Sequence, residues 1–150
     1  MAVQQEEYEL GTDGPRLILV GVDGSETSIR AGSFAAGVAR REGAELLAVF
    51  VTQSPAFAGS TPGGDPSAAY RGEEIEEMRQ RVEEGAAYVG HPIRFRTAHG
   101  DPFSELTRIA EEERADSVIV GASASAGHRF VGSLAVRLVK AGRWPVTVVP

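Results

Sequence analysis

Between Ser117 and Lys140 an apolar stretch, Ser117-Val118-Ile119-Val120, runs into small residues from Gly121 and then into Gly132-Ser133 at the head of an amphipathic segment. Strand, glycine-containing loop and helix N-terminus in that order make an anion-receptive site. The first helical N–H groups lack intrahelical partners, and the helix dipole places partial positive charge there. Charge follows the same line: from Ser117 to Pro150 there is no Asp or Glu, while Arg129, Arg137, Lys140 and Arg143 contribute +4 in a chain of net charge −6. The chemistry suggested is the holding of a phosphate. A tight strand–helix turn, with Lys140 and Arg143 matched to a helix C-terminus, accounts for the same residues without a ligand. A second candidate is Asp23, in Asp23-Gly24-Ser25. Its carboxylate can accept a ribose or base hydrogen bond, ligate Mg²⁺, or bond its own backbone as a turn-former.

The elements that must position these residues can be read along the chain. Residues 1–15 carry few large apolar side chains and end in Gly14-Pro15, as expected of a flexible tail; 16–150 form one domain. Arg16 to Val22 is a continuous apolar run, as expected of a strand covered on both faces. A helix follows, with Ser25 or Thr27 as N-cap, Ile29, Ala35, Val38 and Ala39 on its inner face, and Gly43 as its stop. Glu45 to Val51 is a second apolar strand. The Pro- and Gly-rich stretch 53–68 reads as a connection or lid. A long helix then runs from about Ala69 to Tyr88; its stripe of Ile75, Met78, Val82 and Val89 lies apart from a solvated glutamate face, with Glu77–Arg81 as an i,i+4 pair. Ile93 to Ala98 alternates apolar and polar, which suits a sheet edge. Asp101-Pro102 supplies the N-cap and first position of a third helix with Phe103, Leu106, Ile109 and Ala110 inward. Gly142 ends the fourth helix, and Val146–Val149 forms a fifth strand whose flanking prolines suit the other edge.

Alternating strands and helices predict an α/β fold, a parallel sheet layered between helices. Right-handed crossovers and the two edge assignments leave 3-2-1-4-5 as the simplest strand order. The switch point then falls between strands 1 and 4, and ligands bind outside the carboxyl ends there. Asp23 follows strand 1 and the Gly121–Ser133 loop follows strand 4, so the two motifs face one crevice. Backbone N–H groups near Gly132 and Ser133, with the Ser133 hydroxyl, are expected to hold phosphate oxygens. Gly121 and Gly127 would allow close backbone approach, and His128 and Arg129 would add charge.

Composition removes other classes. With no Cys in 150 residues there is no disulfide framework, thiolate nucleophile or cysteine-ligated zinc. The negative balance argues against nucleic acid as a partner. No apolar run approaches the roughly 18 residues of a membrane span, and an acidic start with Glu6, Glu7, Glu9 and Asp13 does not read as a signal peptide, so a cytoplasmic location is expected. His91, His99 and His128 sit in unrelated segments, with His91 expected in an exposed turn, and no catalytic or metal constellation emerges. A phosphoreceiver is disfavoured because Asp23 has no acidic pair beside it and no Lys follows strand 5; neither the dinucleotide fingerprint nor Walker A is present.

The run Ile18-Leu19-Val20-Gly21-Val22-Asp23-Gly24-Ser25, Gly100-Asp101-Pro102, Val120-Gly121 with Gly132-Ser133, and the closing Arg143-Trp144-Pro145-Val146-Thr147-Val148-Val149 together resemble the universal stress protein family over residues 15–150. The resemblance implies a three-layer α/β sandwich of the adenine nucleotide alpha-hydrolase type, a five-stranded sheet in the order above, and a homodimer paired through Val146–Val149. It also implies, for a subset of the family, ATP binding through Gly-x-x-Gly, nine residues and Gly-Ser or Gly-Thr. By position Asp23, with Val22 beside it, matches the acidic residue near the nucleotide, Val49 the residue beside the base, and Gly121, Gly132, Ser133 and Leu134 the phosphate loop. Ala124 stands at the second glycine, and ten residues separate Gly121 from Gly132 where the pattern has twelve. ATP, ADP, AMP or no ligand therefore stay open, with Mg²⁺ called for only by a triphosphate. The functions to be weighed are a nucleotide-binding stress-response protein, a ligand-free dimeric interaction module, and a slow nucleotide hydrolase.

Overall fold

The computed structural model describes residues 14–53, 67–125 and 128–150, with side chains at all of these except 67–70, 124–125 and 128–130. The expected tail and most of the 53–68 connection lie outside the described residues. In chain order the elements are β1 (Leu17–Val22), α1 (Glu26–Glu42), β2 (Glu45–Thr52), α2 (Ser67–Val89), β3 (Ile93–His99), α3 (Pro102–Glu113), β4 (Ser117–Gly121), β5 (Ser123–Ser125), β6 (His128–Phe130), α4 (Ser133–Ala141) and β7 (Val146–Val149). The large sheet is parallel throughout and ordered β3-β2-β1-β4-β7, so the anticipated order holds with β7 as its fifth strand. The short antiparallel hairpin β5–β6 was not anticipated.

Alternate residues of each central strand serve opposite faces, which is why these strands read as unbroken apolar runs. Leu17 and Leu19 join Leu47, Val49, Val118 and Val120 beneath α3 and α4, which contribute Leu106, Ile109, Ala135 and Leu138. Ile18 and Val20 join Leu46, Ala48 and Ile119 on the other face, where α1 contributes Ala31, Ala35, Ala36 and Ala39. Ser25 caps α1 by accepting from the Ser28 N–H, and Gly43 ends it in the left-handed region (φ 66°). The inner face of α1 differs from the expectation at Ile29, which is 52% exposed. Only alanine-sized groups fit between this helix and the sheet it lies against, and the buried stripe is accordingly Thr27, Ser28, Ala31, Ala35, Ala36 and Ala39. Ile29 falls on the helix flank.

The edge strand β3 sends Ile93 and Phe95 to the α1 side. Its alternating arginines pair with α3: Arg94 with Glu113 (2.9 Å), and Arg96 with Glu112 (2.6 Å) and Glu113 (3.0 Å). On α2 the pair formed is Arg79–Glu76 rather than Glu77–Arg81. His91 is half-buried rather than exposed, because its Nε2 is bonded to the Ala44 carbonyl (2.9 Å) and joins the turns before β2 and β3. Buried Asp116 uses one carboxylate oxygen to accept from the N–H groups of Arg16 (2.7 Å) and Leu17 (2.9 Å), fastening the start of β1 beside β4. Among the described residues no helix is long and apolar enough to cross a membrane.

The two faces of this packing make a testable contrast. Leu19 is fully buried, so Leu19→Ala should cost about 2–5 kcal/mol in chemical denaturation. Half-exposed Ile29 should cost roughly 0.5 kcal/mol or less as Ile29→Ala. Equal losses at both positions would contradict the placement of α1.

Candidate functional site

Helices α1, α3 and α4 all begin at the carboxyl ends of strands, so three helix N-termini open toward the same side of the sheet. Two are closed by side chains. Ser25 accepts from the Ser28 N–H (3.2 Å) at α1, and Asp101 accepts from the Ser104 N–H (2.9 Å) and hydroxyl (2.8 Å) at α3, where Pro102 takes the first turn. The third is not: Gly132 caps α4 with no side-chain hydrogen bond. The first helical bond runs from the Val136 N–H to the Gly132 carbonyl (3.1 Å), which leaves the N–H groups of Ser133, Leu134 and Ala135 ahead of the intrahelical ladder.

This uncapped end lines a crevice of about 520 Å³ between the ends of β1 and β4. Val49, Val51, Val120 and Leu106 give it an apolar floor, and Asp23, Ser25, Gln53, Asp101, Ser133 and Arg137 supply polar groups. Of the residues expected from sequence, Val22, Asp23, Val49, Gly121, Gly132, Ser133 and Leu134 all line it. Gly127 and the side chains of His128 and Arg129 lie outside the described residues; the backbone of the latter two forms β6. His91 and His99 are not among the lining residues. His99 is bonded instead to the Thr52 hydroxyl (2.9 Å).

Asp23 is held as a turn-former. Its Oδ1 accepts from the Ser25 N–H (2.9 Å), its own N–H donates to the Ser28 hydroxyl (3.2 Å), and that hydroxyl donates to the Ser25 carbonyl (3.1 Å). Gly24 completes the turn at φ +83°, a conformation side chains resist. Partial burial pushes the Asp23 carboxyl up, but hydrogen bonds from the side chain and backbone of Ser25 and from Ser28 outweigh it, and the group lies below its ordinary value of 3.8.

Gly121 and Gly132, at the two ends of the loop, serve closeness within the protein. A Cβ on Gly121 would stand 2.6 Å from the Thr27 carbonyl carbon and 2.7 Å from the Ser28 nitrogen, so the end of β4 presses on the backbone of α1's first turn. Sequence reasoning reserved that freedom for a ligand. A Cβ on buried Gly132 would collide with the Ser123 hydroxyl. The loop between them is not an open cradle: Ser123, Ala124 and Ser125 pair with Phe130, Arg129 and His128.

Sequence reasoning missed the wall formed by α3 and α4. Arg137 Nη1 donates to Asp101 Oδ1 (3.2 Å), and its guanidinium lies 4.2 Å from the centroid of Phe103. The available signal was the position of Arg137 one helical turn after Ser133, which sets both on one side of α4.

Fold and crevice define a doubly wound α/β protein with an uncapped helix N-terminus opening onto its switch-point crevice. The profile of the universal stress protein family matches residues 15–150. The chain is 29% identical over 136 residues to universal stress protein MJ0531 of Methanocaldococcus jannaschii, covering 88% of this chain and 80% of that protein. It superposes with a TM-score of 0.71 on a universal stress protein family member from Burkholderia pseudomallei, at 28% identity and covering 90% and 96% of the two chains. A universal stress protein solved in complex with cAMP gives a TM-score of 0.70 at 23% identity, covering 91% and 97%. The chain belongs to the universal stress protein family.

The depressed Asp23 carboxyl has a consequence for acid stability. A group whose folded value lies below its unfolded one stabilises the fold fully above the unfolded value, and that contribution is lost as pH falls through the folded value. Asp23→Asn should therefore lower the melting temperature at pH 7, and the gap to the parent should close as pH drops below about 4. A gap that persists at pH 2 would mean that the charge of Asp23 is not what the turn uses.

Proposed function

We propose that this chain is a stress-response protein that binds an adenine nucleotide in the crevice between β1 and β4. The observation that carries this reading is the uncapped N-terminus of α4 opening onto an apolar-floored crevice of about 520 Å³. That volume is within the range of small-molecule sites. A flat, weakly polar base suits the valine floor beside Val22 and Val49. A ribose hydroxyl suits the Asp23 carboxylate. A phosphate suits the N–H groups at Ser133 and Leu134, the Ser133 hydroxyl, and whatever charge His128 and Arg129 add. The cAMP complex of a relative with the same fold supports the ligand class. These residues fit the nucleotide through hydrogen bonding alone; Mg²⁺ enters only with a triphosphate.

Binding to the native state at a hundredfold excess over Kd adds about 2.7 kcal/mol of stability. For a chain of this size that corresponds to a melting-temperature rise of roughly 5–10 °C. The purified protein should show this rise with millimolar adenine nucleotide, and Ser133→Ala should reduce it. Nucleotide released on denaturation would identify the bound species. An unchanged melting temperature with every nucleotide, and none released, would sink the reading.

We also propose that the chain works as a homodimer through β7. What supports this is an edge strand bordered by apolar surface: on α4, the helix that packs beside it, Val136 and Val139 are exposed, as is Phe34 on α1. An uncovered strand edge is a template for a further strand. Light scattering should report a dimer that Val148→Asp turns into monomers and that Val139→Glu, on an exposed site, weakens without unfolding. A parent monomer, or a dimer indifferent to both changes, would refute it.

A further inference from the structure

Arg137 is the one cation among the described residues that line the crevice, facing the carboxylates of Asp23, Glu26 and Asp101. It is half exposed, its Nη1 is bonded to Asp101, and its Nη2 and Nε have no partner among the described residues. A helical side chain leans back toward the helix N-terminus. From its place one turn after Ser133, the Arg137 side chain can swing along that side of α4 to reach the uncapped N–H groups. The ring of Phe103 supports it from below. Asp101 does not need it: Oδ2 is already engaged by the Ser104 N–H and hydroxyl, so the α3 cap survives if Arg137 turns away.

Resting on the nucleotide reading above, we propose that Arg137 is the specificity-determining residue of the crevice. It exchanges Asp101 for a phosphate held at the N-terminus of α4, which selects a nucleoside monophosphate over a triphosphate. One planar guanidinium offers a forked pair of donors to a single phosphate. That phosphate carries about −2 at neutral pH. Each further phosphate brings charge toward the lining carboxylates of Asp23, Glu26 and Asp101, and among the described residues Arg137 is the one lining cation to meet it. The backbone of Ser123–Ser125 and His128–Phe130, which in an open loop could turn N–H groups toward outer phosphates, is paired strand to strand in β5–β6.

The test is calorimetric titration of the full chain with adenosine, AMP and ATP in magnesium-free buffer. The parent should bind AMP more tightly than either adenosine or ATP. Loss of a charge-assisted pair should weaken AMP by about tenfold or more in Arg137→Ala, with adenosine unchanged within about twofold. Arg137→Lys should recover part of the loss. Asp101→Asn keeps a capping side chain but releases Arg137, and it should tighten AMP. A melting curve of each ligand-free variant registers any loss of the α3–α4 tether separately. The proposal is overturned if Arg137→Ala leaves AMP affinity intact, if adenosine and AMP weaken together, or if the parent binds ATP as tightly as AMP or more tightly. A parent that binds none of the three compounds overturns the nucleotide reading itself, and the exchange with it.

Discussion

The backbone of Gly121 lies against the backbone of Thr27 and Ser28 more closely than any side chain at that position would allow. This contact fixes the end of β4 relative to the first turn of α1, and with it the width of the switch-point crevice. It also explains the composition of α1's inner face. A helix pressed onto the sheet at its first turn leaves room beneath it for small residues, Thr27, Ser28 and four alanines, while Ile29 and Phe34 stand exposed on its flanks. The buried Asp116 clamp holds the opposite end of the same strand pair. Between them, β1 and β4 are set side by side at both ends, so the loops that leave their carboxyl ends diverge around a defined gap.

Helix ends decide what that gap can do. Every helix in a doubly wound fold starts at the ligand-binding side, so several positive dipole ends gather there by topology alone. Here the chain supplies a side-chain acceptor to α1 and α3 and withholds one from α4. Gly132 at that cap packs under the Ser123 side chain, whose hydroxyl a Cβ there would have to displace. The close packing of Ser123 and the open helix end therefore meet at one residue.

The two sheet edges are treated differently. At β3, Arg94 and Arg96 are tied to Glu112 and Glu113 of α3, whose carboxyls are held below their ordinary value chiefly by hydrogen bonds from Arg96 and Arg94 respectively. These pairs are partly exposed, so their value lies in covering and orienting an edge rather than in large stabilisation. At β7, among the described residues, the half-buried valines meet no such charged cover, and α4 presents Val136 and Val139 nearby. One edge is closed to further strands by charge, while the other keeps an apolar border.

Local chemistry was readable in one dimension. The strands, their order, the caps at Ser25 and Asp101, and the glycine stops at Gly43 and Gly142 follow from interactions within a few residues or from the period of the apolar pattern, and each recurs in the structure. So does the meeting of Asp23 with Gly132-Ser133, because strand order alone puts their loops at one switch point. What the tertiary structure decided involves groups far apart in the chain: Arg137 on Asp101 across 36 residues, and Asp116 on Leu17 across 99. Gly121 belongs with these. Its type was legible, but the reason for it, the backbone of α1, was not. α3 ends on Arg114 in the left-handed region without a glycine, and the loop after β4 folds into a hairpin rather than a cradle. Periodicity and caps record what a segment does to itself. Which partner a long side chain finds, and how near two backbones come, is set only when separate elements are packed together.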